Sequence, residues 1–458
     1  MRKAAGDLKA IIDGEDSFQP PPESMVEIIA EADNVVPPEL HFTAKSMLGI
    51  DVDITLKDNE CAIPEKELPD ELLSLIKSEM LAQAGGGADS WYEGELDPWS
   101  KLVREVTVTS SGEGTKYNFV TFPTNLGFLS NLETLVLSNH SFSSLPSNIA
   151  ALGKLHTLTI EKTKLKSSSE IGQGCAELAC LVLNDNRLSS ASKSLSSLSK
   201  LRELHLRNNQ ISSIYSEYSA LKSLRVLNLA FNRISKIPAE LRTLDALEVL
   251  DLSNNALGTG LMNRSPLTPV SFMVSLVQLD LSNNKLSSLP PLASLAHLEI
   301  LNVSGNSLTE LPSMGVHDEL QILLAADNMI TSVPLAVFKG MRNLRVLDLC
   351  KNKCRFIPSS LEALESLNEL HLAQNQISTV PDSLGKLLRL TLLDLSGNDL
   401  VVVQNGIFSC LHELRELRLH GNRISRLPED LFNMQCIQEI DLSNNAIGEL
   451  PKDRKSVV

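Results

Sequence analysis

Aliphatic residues recur through most of this chain in the pattern L-x-x-L-x-L-x-x-N-x-L, where x is any residue. Successive copies are 22 to 24 residues apart, except for one interval of 29 residues between the sixth and seventh copies. Self-similarity at a fixed period of this size predicts a solenoid, in which each coil covers the apolar residues of its neighbour. Fourteen copies begin at Leu132, Leu155, Leu178, Leu201, Leu224, Leu247, Leu276, Leu298, Leu320, Leu344, Leu367, Leu390, Leu414 and Ile437.

The alternation within each copy predicts a short strand followed by a sharp turn. The leucines at the fourth and sixth places point inward, so the third, fifth and seventh places point out of the sheet. In LRELHLRNNQI, residues 201–211, these outward places are Glu203, His205 and Arg207. The ninth place is asparagine in twelve copies, and a buried asparagine there can satisfy backbone groups at the turn.

Nine copies continue with an aliphatic residue followed by proline, as in Ile237-Pro238. Proline fixes φ and lacks an N–H donor, which favours an extended segment over a regular helix. These residues resemble the leucine-rich-repeat superfamily over residues 103–451, and the 23-residue period resembles its Ras-group class. The resemblance implies an α/β solenoid: a curved horseshoe with a parallel concave β-sheet and a convex side of irregular, 3-10 or short-helical segments. It also implies an intracellular scaffold in small-GTPase or phosphatase signalling.

Charge divides the chain into regions. Residues 1–100 contain seven basic and 22 acidic side chains, whereas the remaining residues contain 34 of each. We expect an acidic, partly flexible region with short helices over 1–100, a cap and degenerate repeat over 101–131, and the solenoid over 132–458. Since neither part has a basic patch, nucleic acid is not an expected partner.

Several features favour a soluble cytoplasmic protein. No segment approaches the ~20 apolar residues of a membrane span, and the first residues lack a signal-peptide core. The seven cysteines are scattered and odd in number, which favours a reducing compartment.

Three short segments suggest contacts outside the repeats. Trp91 and Trp99 precede the solenoid, where they would cover its first coil or form a linear docking motif. The six-residue insertion after the sixth repeat predicts a loop that is a partner contact or a tolerated insertion. The ending Ser456-Val457-Val458 fits the ligand pattern of PDZ domains.

The outward fifth places supply the candidate binding residues. Near the C-terminus their charges alternate along Asp348, His371, Asp394, Arg418 and Asp441. Two interpretations stay open: a cross-strand ladder that adds a little stability, or a polar docking surface made of His371, Arg418 and His420.

Two further candidates lie earlier in the array. His205, Arg207 and the exposed aromatic Phe231 combine residue types that are common interface anchors. An apolar patch is predicted at Leu324, flanked at the third place by Ile300, Ile322 and Val346, although aliphatic residues are also ordinary there.

We found no catalytic constellation, metal site or cofactor motif. Cys350 and Cys354 should point apart, and His371 and His420 lie two strands apart, about 9.6 Å, too far to share one ion. The sequence therefore predicts a non-enzymatic scaffold that binds a signalling protein on its concave face. The alternative is a regulatory or substrate-recognition subunit of a phosphatase, cyclase or ubiquitin ligase complex.

Overall fold

The computed structural model describes residues 39–46, 51–57, 103–110, 122, 129–258, 267–312, 314–333, 337–429, 431 and 434–448. The expected N-terminal helices, the tryptophan segment, most of the insertion after the sixth repeat and the C-terminal PDZ-type pattern lie outside these residues. Among the described residues, no helix combines the length and apolar character that a membrane span requires.

Each of the fourteen repeats contributes one short strand, which begins at the third place of the pattern. The strands are β4 (Thr134–Ser138), β5 (Thr157–Glu161), β6 (Cys180–Val182), β7 (Glu203–His205), β8 (Val226–Asn228), β9 (Val249–Asp251), β10 (Gln278–Asp280), β11 (Ile300–Asn302), β12 (Ile322–Leu324), β13 (Val346–Asp348), β14 (Glu369–His371), β15 (Leu392–Asp394), β16 (Glu416–Arg418) and β17 (Glu439–Asp441).

The repeat strands form one parallel sheet in strict register. Equivalent places pair across neighbouring repeats, so Leu279 of β10 lies between Leu250 of β9 and Leu301 of β11. The register continues across the 29-residue interval, because the extra residues lie in the connection and not in the strands. With β3 (Val103–Ser110), fifteen parallel strands form a single open sheet. The predicted curved solenoid is confirmed.

A β-hairpin that the sequence analysis did not predict lies at the start of the sheet. Strands β1 (Glu39–Ser46) and β2 (Asp51–Lys57) pair antiparallel with each other. Strand β1 also pairs antiparallel with β3, the degenerate opening repeat. An unpaired strand edge can pair with another chain. The hairpin prevents this at β3, because β1 hydrogen-bonds the edge of β3 that faces away from the repeats.

The connections opposite the sheet contain short 3-10 helices, as expected from the proline-bearing segments. In four of them a proline precedes the helix in extended geometry: Pro146, Pro238, Pro358 and Pro381. The helices span Ser147–Ala151, Ile171–Gln173, Lys193–Ser197, Ser216–Ala220, Ala239–Thr243, Thr268–Phe272, Phe338–Gly340, Ser359–Ala363, Asp382–Lys386 and Phe408–Cys410.

The ninth-place asparagines form the predicted ladder between coils. Asn209, for example, is buried and donates from Nδ2 to Leu183 O at 2.9 Å in the preceding repeat and to Leu206 O at 3.1 Å in its own. Its Oδ1 accepts from the Leu188 N–H at 3.0 Å. One amide therefore links two coils through backbone groups that would otherwise be buried without partners.

The first two repeats replace this asparagine without losing the link. The buried His140 side chain hydrogen-bonds Val108 O through Nε2 at 3.3 Å. Burial lowers the pKa of His140 to about 4, against the opposing effect of that hydrogen bond, so the ring is neutral at pH 7. In the second repeat, Thr163 Oγ1 donates to Asn186 Oδ1 at 2.5 Å.

The eighth place, just before the asparagine, has a left-handed backbone in every repeat. Glycine occupies it at Gly305, Gly397 and Gly421, and ordinary residues occupy it elsewhere with φ between 51° and 62°. A left-handed backbone disfavours side chains that branch or are bulky. This geometry explains why Asn, Asp and Gly are frequent at the eighth place. Lys162, Lys351, Gln374 and Phe231 are the exceptions in residue type, and Phe231, with φ of 54°, is the one aromatic residue among them.

Candidate interaction surface on the concave sheet

The outward places form a continuous strip along the concave sheet. In five of the twelve three-residue repeat strands, β6, β7, β10, β14 and β16, the central leucine is buried and both flanking residues are partly exposed. At the fifth place most residues are partly exposed, as the alternation predicted, but Asn228, Asp251 and Asp394 are buried. All seven candidate binding residues lie on or beside this strip.

Arg207 and Phe231 are brought together from neighbouring repeats. The guanidinium carbon of Arg207 lies 4.5 Å from the centroid of the Phe231 ring, and both side chains are exposed. Phe231 is 42% exposed, so part of its surface stays open to solvent beside the cation. A cation over an aromatic face is attracted by the ring quadrupole, which holds both groups in a defined orientation.

His205 lies deeper than Arg207. Its side chain is 14% exposed, and its Nε2 lies 3.5 Å from Glu203 Oε2 on the same strand. Burial lowers the pKa of His205, and the hydrogen bond and charge of Glu203 only partly oppose this effect. His205 is therefore a half-buried neutral donor or acceptor at the base of the strip.

His371 lies in the same Glu-Leu-His strand sequence as His205, but its pKa is shifted in the opposite direction. Its Nε2 lies 3.2 Å from Glu369 Oε2, and its side chain is 12% exposed. The register places it between Asp348 and Asp394. Burial disfavours the imidazolium, but the Glu369 hydrogen bond and the three carboxylates outweigh it, so the pKa of His371 is raised.

Arg418 continues the alternation of charge between Asp394 and Asp441. Its shortest ion pair, however, is with Glu416 on its own strand, at 2.9 Å. His420 lies beyond the strand, with Nδ1 3.1 Å from Asp441 Oδ2. The predicted cross-strand neighbours are present, but the third-place glutamates Glu369 and Glu416 are the closer partners of His371 and Arg418.

The apolar patch at Leu324 is smaller than predicted. Leu324 is partly exposed, but its expected flanking residues Ile300, Ile322 and Val346 are all buried. The prediction that third-place aliphatics are outward and accessible was wrong here. Strands lie ~4.8 Å apart, so adjacent branched side chains on the concave side cover one another.

Two adjacent aspartates on the strip are not among the predicted binding residues. Asp251 and Asp280 are register partners on β9 and β10, and no described cation forms a salt bridge with either. Burial and the neighbouring Asp251 charge raise the pKa of Asp280 to about 6, against hydrogen bonds from Ser282 and Asn302. Residues whose pKa is shifted by burial and a neighbouring like charge are frequent at functional sites.

Family models match most of the solenoid. A "Leucine-rich repeat region" model matches residues 120–237, a "Leucine rich repeat" model matches 318–377, 358–400 and 388–447, and a "Leucine Rich repeats (2 copies)" model matches 222–261 and 274–313. A search of curated proteins gave no match.

Solved structures are similar over most of the chain. A leucine-rich-repeat protein of Leptospira interrogans is 29% identical with a TM-score of 0.66, over 73% of this chain and 90% of that one. An internalin of Listeria monocytogenes is 25% identical with a TM-score of 0.58, over 68% and 85%. The plant peptide hormone receptor RGFR1, in complex with RGF2, is 26% identical with a TM-score of 0.55, over 71% and 61%.

Members of this superfamily typically mediate protein–protein interaction, and the similar folds are generally interaction modules without enzymatic activity. The repeat spacing, the asparagine ladder, the parallel sheet and the matched models agree: this chain belongs to the leucine-rich-repeat superfamily.

Proposed function

We propose that this chain is a non-enzymatic scaffold that binds a signalling protein on its concave face. The observation that carries the proposal is the Asp251–Asp280 pair, which places two carboxylates side by side without a described salt-bridge partner. Such an arrangement costs stability in the free protein. A basic side chain of a partner would supply the missing opposite charge.

The charge of the whole strip supports a partner with a basic binding segment. At the outward places of β7 to β17, acidic residues outnumber Arg207 and Arg418. Complementary charge speeds association and excludes partners of the wrong sign. The acidic residues are Glu203, Asp251, Asp280, Asp348, Glu369, Asp394, Glu416, Glu439 and Asp441.

The finer parts of the proposal rest on the sequence pattern. The 23-residue period and the aliphatic–proline pairs support a Ras-group protein, with a small-GTPase or phosphatase signalling component as its partner. The six cysteines in the described part of the chain are free thiols, which supports a reducing, cytoplasmic location. RGFR1 is solved with RGF2 bound, and likeness to it supports ligand binding by this fold.

An affinity experiment with a matched pair of baits tests the proposal. The first bait is wild type, and the second carries Asp251→Asn with Asp280→Asn, which removes two charges but keeps the side-chain size. We expect the wild type to retain a basic partner that the double variant loses. The double variant should be at least as stable as wild type, so lost binding could not be attributed to unfolding.

The control bait carries Glu240→Gln with Asp245→Asn. Both residues are exposed in the connection between β8 and β9, so the same charge is removed away from the concave strip. Equal retention of partners by all three baits would contradict the proposed surface. A catalytic subunit recovered in stoichiometric amount would favour the alternative role as a regulatory or substrate-recognition subunit.

A further inference from the structure

Three different potential metal ligands converge on the concave sheet between β6 and β7. Cys180 and Glu203 are direct register partners on these strands, and His205 follows Glu203 on the same face. Their ligand atoms, a thiol sulfur, a carboxylate oxygen and an imidazole nitrogen, all lie within 4.8 Å of one another. All three side chains are half-buried.

The distances fit a tetrahedral ion. Glu203 Oε2 lies 3.7 Å from Cys180 Sγ and 3.5 Å from His205 Nε2. Zinc bonds of about 2.3 Å to sulfur and about 2.0 Å to nitrogen or oxygen separate tetrahedral S–O and N–O ligand pairs by about 3.5 and 3.3 Å. These two separations are only slightly wider, and the third pair, Cys180 Sγ and the His205 ring nitrogen, lies within 4.8 Å, so side-chain rotations would bring the three atoms into the coordination sphere.

We propose that Cys180, Glu203 and His205 bind a Zn²⁺ ion, with the fourth coordination position open to the concave groove. Thiolate, imidazole and carboxylate together are a ligand set that suits zinc. On binding, the Cys180 thiol releases its proton to solvent and the thiolate binds the ion. Water, or a donor atom of a bound partner, completes the tetrahedron.

A comparison within the array shows what is particular to this cluster. Strand β14 repeats the Glu-Leu-His sequence, and its Glu369 and His371 are as close as Glu203 and His205. On β14, however, the residues paired with Glu369 are Val346 and Leu392, which offer no ligand atom. The cysteine at the third place of the preceding repeat therefore adds a third ligand atom to a Glu–His pair that also occurs on β14.

The cluster was not visible in the sequence. Cys180 and Glu203 are 23 residues apart, one full repeat, and this spacing is outside the short ligand spacings of familiar zinc motifs. The ligand set appears only when the register brings the third places of two repeats together.

Cobalt(II), a spectroscopic substitute for zinc, tests the proposal on untagged full-length protein. We expect one equivalent to bind with a thiolate-to-cobalt charge-transfer band and the visible bands of a tetrahedral site. Cys180→Ser should abolish the charge-transfer band, and His205→Ala should weaken binding by about 100-fold or more. The matched control, His371→Ala, should bind cobalt as wild type does. A band that persists in C180S would overturn the proposal.

Thiol protection tests the same site without any substitution. Zn²⁺ should slow alkylation of Cys180 in wild-type protein, while the exposed Cys410 in the same sample reacts at an unchanged rate. Mass spectrometry of the two peptides measures both rates. Equal labelling of Cys180 with and without zinc would overturn the proposal. Neither experiment involves a protein partner, so its failure would leave the proposed scaffold function untouched.

Discussion

The guanidinium of Arg207 stacks at 4.5 Å on the ring of Phe231, a residue whose left-handed backbone is unusual for a bulky aromatic. Asparagine tolerates this geometry better, whereas phenylalanine pays about 1–2 kcal/mol. Replacing Phe231 by asparagine therefore relieves backbone strain, but it also removes the cation–π contact, which contributes about 0.5–1 kcal/mol. We therefore expect Phe231→Asn to leave the melting temperature unchanged or slightly raised while it weakens partner binding.

The control for this variant is Gln374→Asn, at the equivalent place of another repeat, where φ is 54°. It should leave partner binding unchanged and raise stability through the same relief of backbone strain, with no cation–π contact to lose. Calorimetry and the affinity experiment described above measure the two effects separately. If Phe231→Asn lowered stability markedly without affecting partner retention, the aromatic would be structural and not an interface anchor.

Asp280→Asn should stabilise the protein at neutral pH. The pKa of Asp280 is raised from 3.8 to about 6, so between these values the folded state holds a proton that the unfolded state releases. Stability is consequently lost as pH rises through about 4 to 6, and it stays lower above that range. Asparagine removes this loss and can still accept the Ser282 N–H bond. We expect a gain of about 1–3 kcal/mol at pH 7.

The measurement is the urea midpoint of wild type and variant across pH. The two curves should converge below about pH 4, where the aspartate is neutral in both states, and separate above about pH 6. Parallel curves at all pH values would mean that Asp280 is not responsible.

His371 should have the opposite dependence on pH. Its pKa is raised because Glu369, Asp348 and Asp394 stabilise the imidazolium more than burial destabilises it. The stabilisation is fully present below the unfolded pKa of about 6.5 and is lost as pH rises through the folded value. His371→Gln should therefore destabilise the protein more at mildly acidic than at alkaline pH. The control variant is His297→Gln, which removes an exposed histidine.

Arg418→Glu should lower stability, because the register would place the new carboxylate beside Asp394, Glu416 and Asp441. Cross-strand like charges cost up to about 1 kcal/mol. Arg418→Gln removes the cation without adding a like charge and is the cleaner probe of partner binding. Thermal unfolding should rank wild type, Arg418→Gln and Arg418→Glu in decreasing order. A melting temperature of Arg418→Glu equal to wild type would show that solvent screens this strip.

Asn375→Ala should be among the most damaging single changes in the array. The side chain donates to Leu349 O at 2.8 Å and Leu372 O at 3.1 Å, and it accepts from the Cys354 N–H at 3.0 Å. Leaving these buried groups unpaired costs about 2–4 kcal/mol. The exposed neighbour Gln376→Ala should cost less than about 0.5 kcal/mol. Chemical denaturation compares the two, and similar midpoints would contradict the ladder's role.

Much of the fold could be predicted because the sequence of each repeat specifies its own strand, turn and core residues. The fourth, sixth and ninth places of the pattern are buried in nearly every repeat, so the core residues can be assigned from one repeat at a time. The hairpin β1–β2 was missed because it lacks the repeat pattern and depends on pairing with β3. The left-handed backbone at the eighth place was also not predicted, although the frequent Asn, Asp and Gly residues there indicate it.

The candidate surface was only half predictable. Alternation placed His205 and Arg207 on the outside, and Phe231 was predicted to be exposed. The pattern did not show that Arg207 would stack on Phe231 or that His205 would be half-buried against Glu203. For Leu324 the same rule failed, because accessibility depends on the size of the side chains in the neighbouring strands.

The sequence alone determined the repeat, the inward and outward faces, and the link between coils, because these follow from periodicity within one repeat. Only the tertiary structure decided which residues of different repeats become partners. Asp251 meets Asp280 across 29 residues, and Cys180 meets Glu203 across 23. Charge repulsion and metal coordination act over a few ångströms in space, and the register of the parallel strands, not distance along the chain, sets those separations.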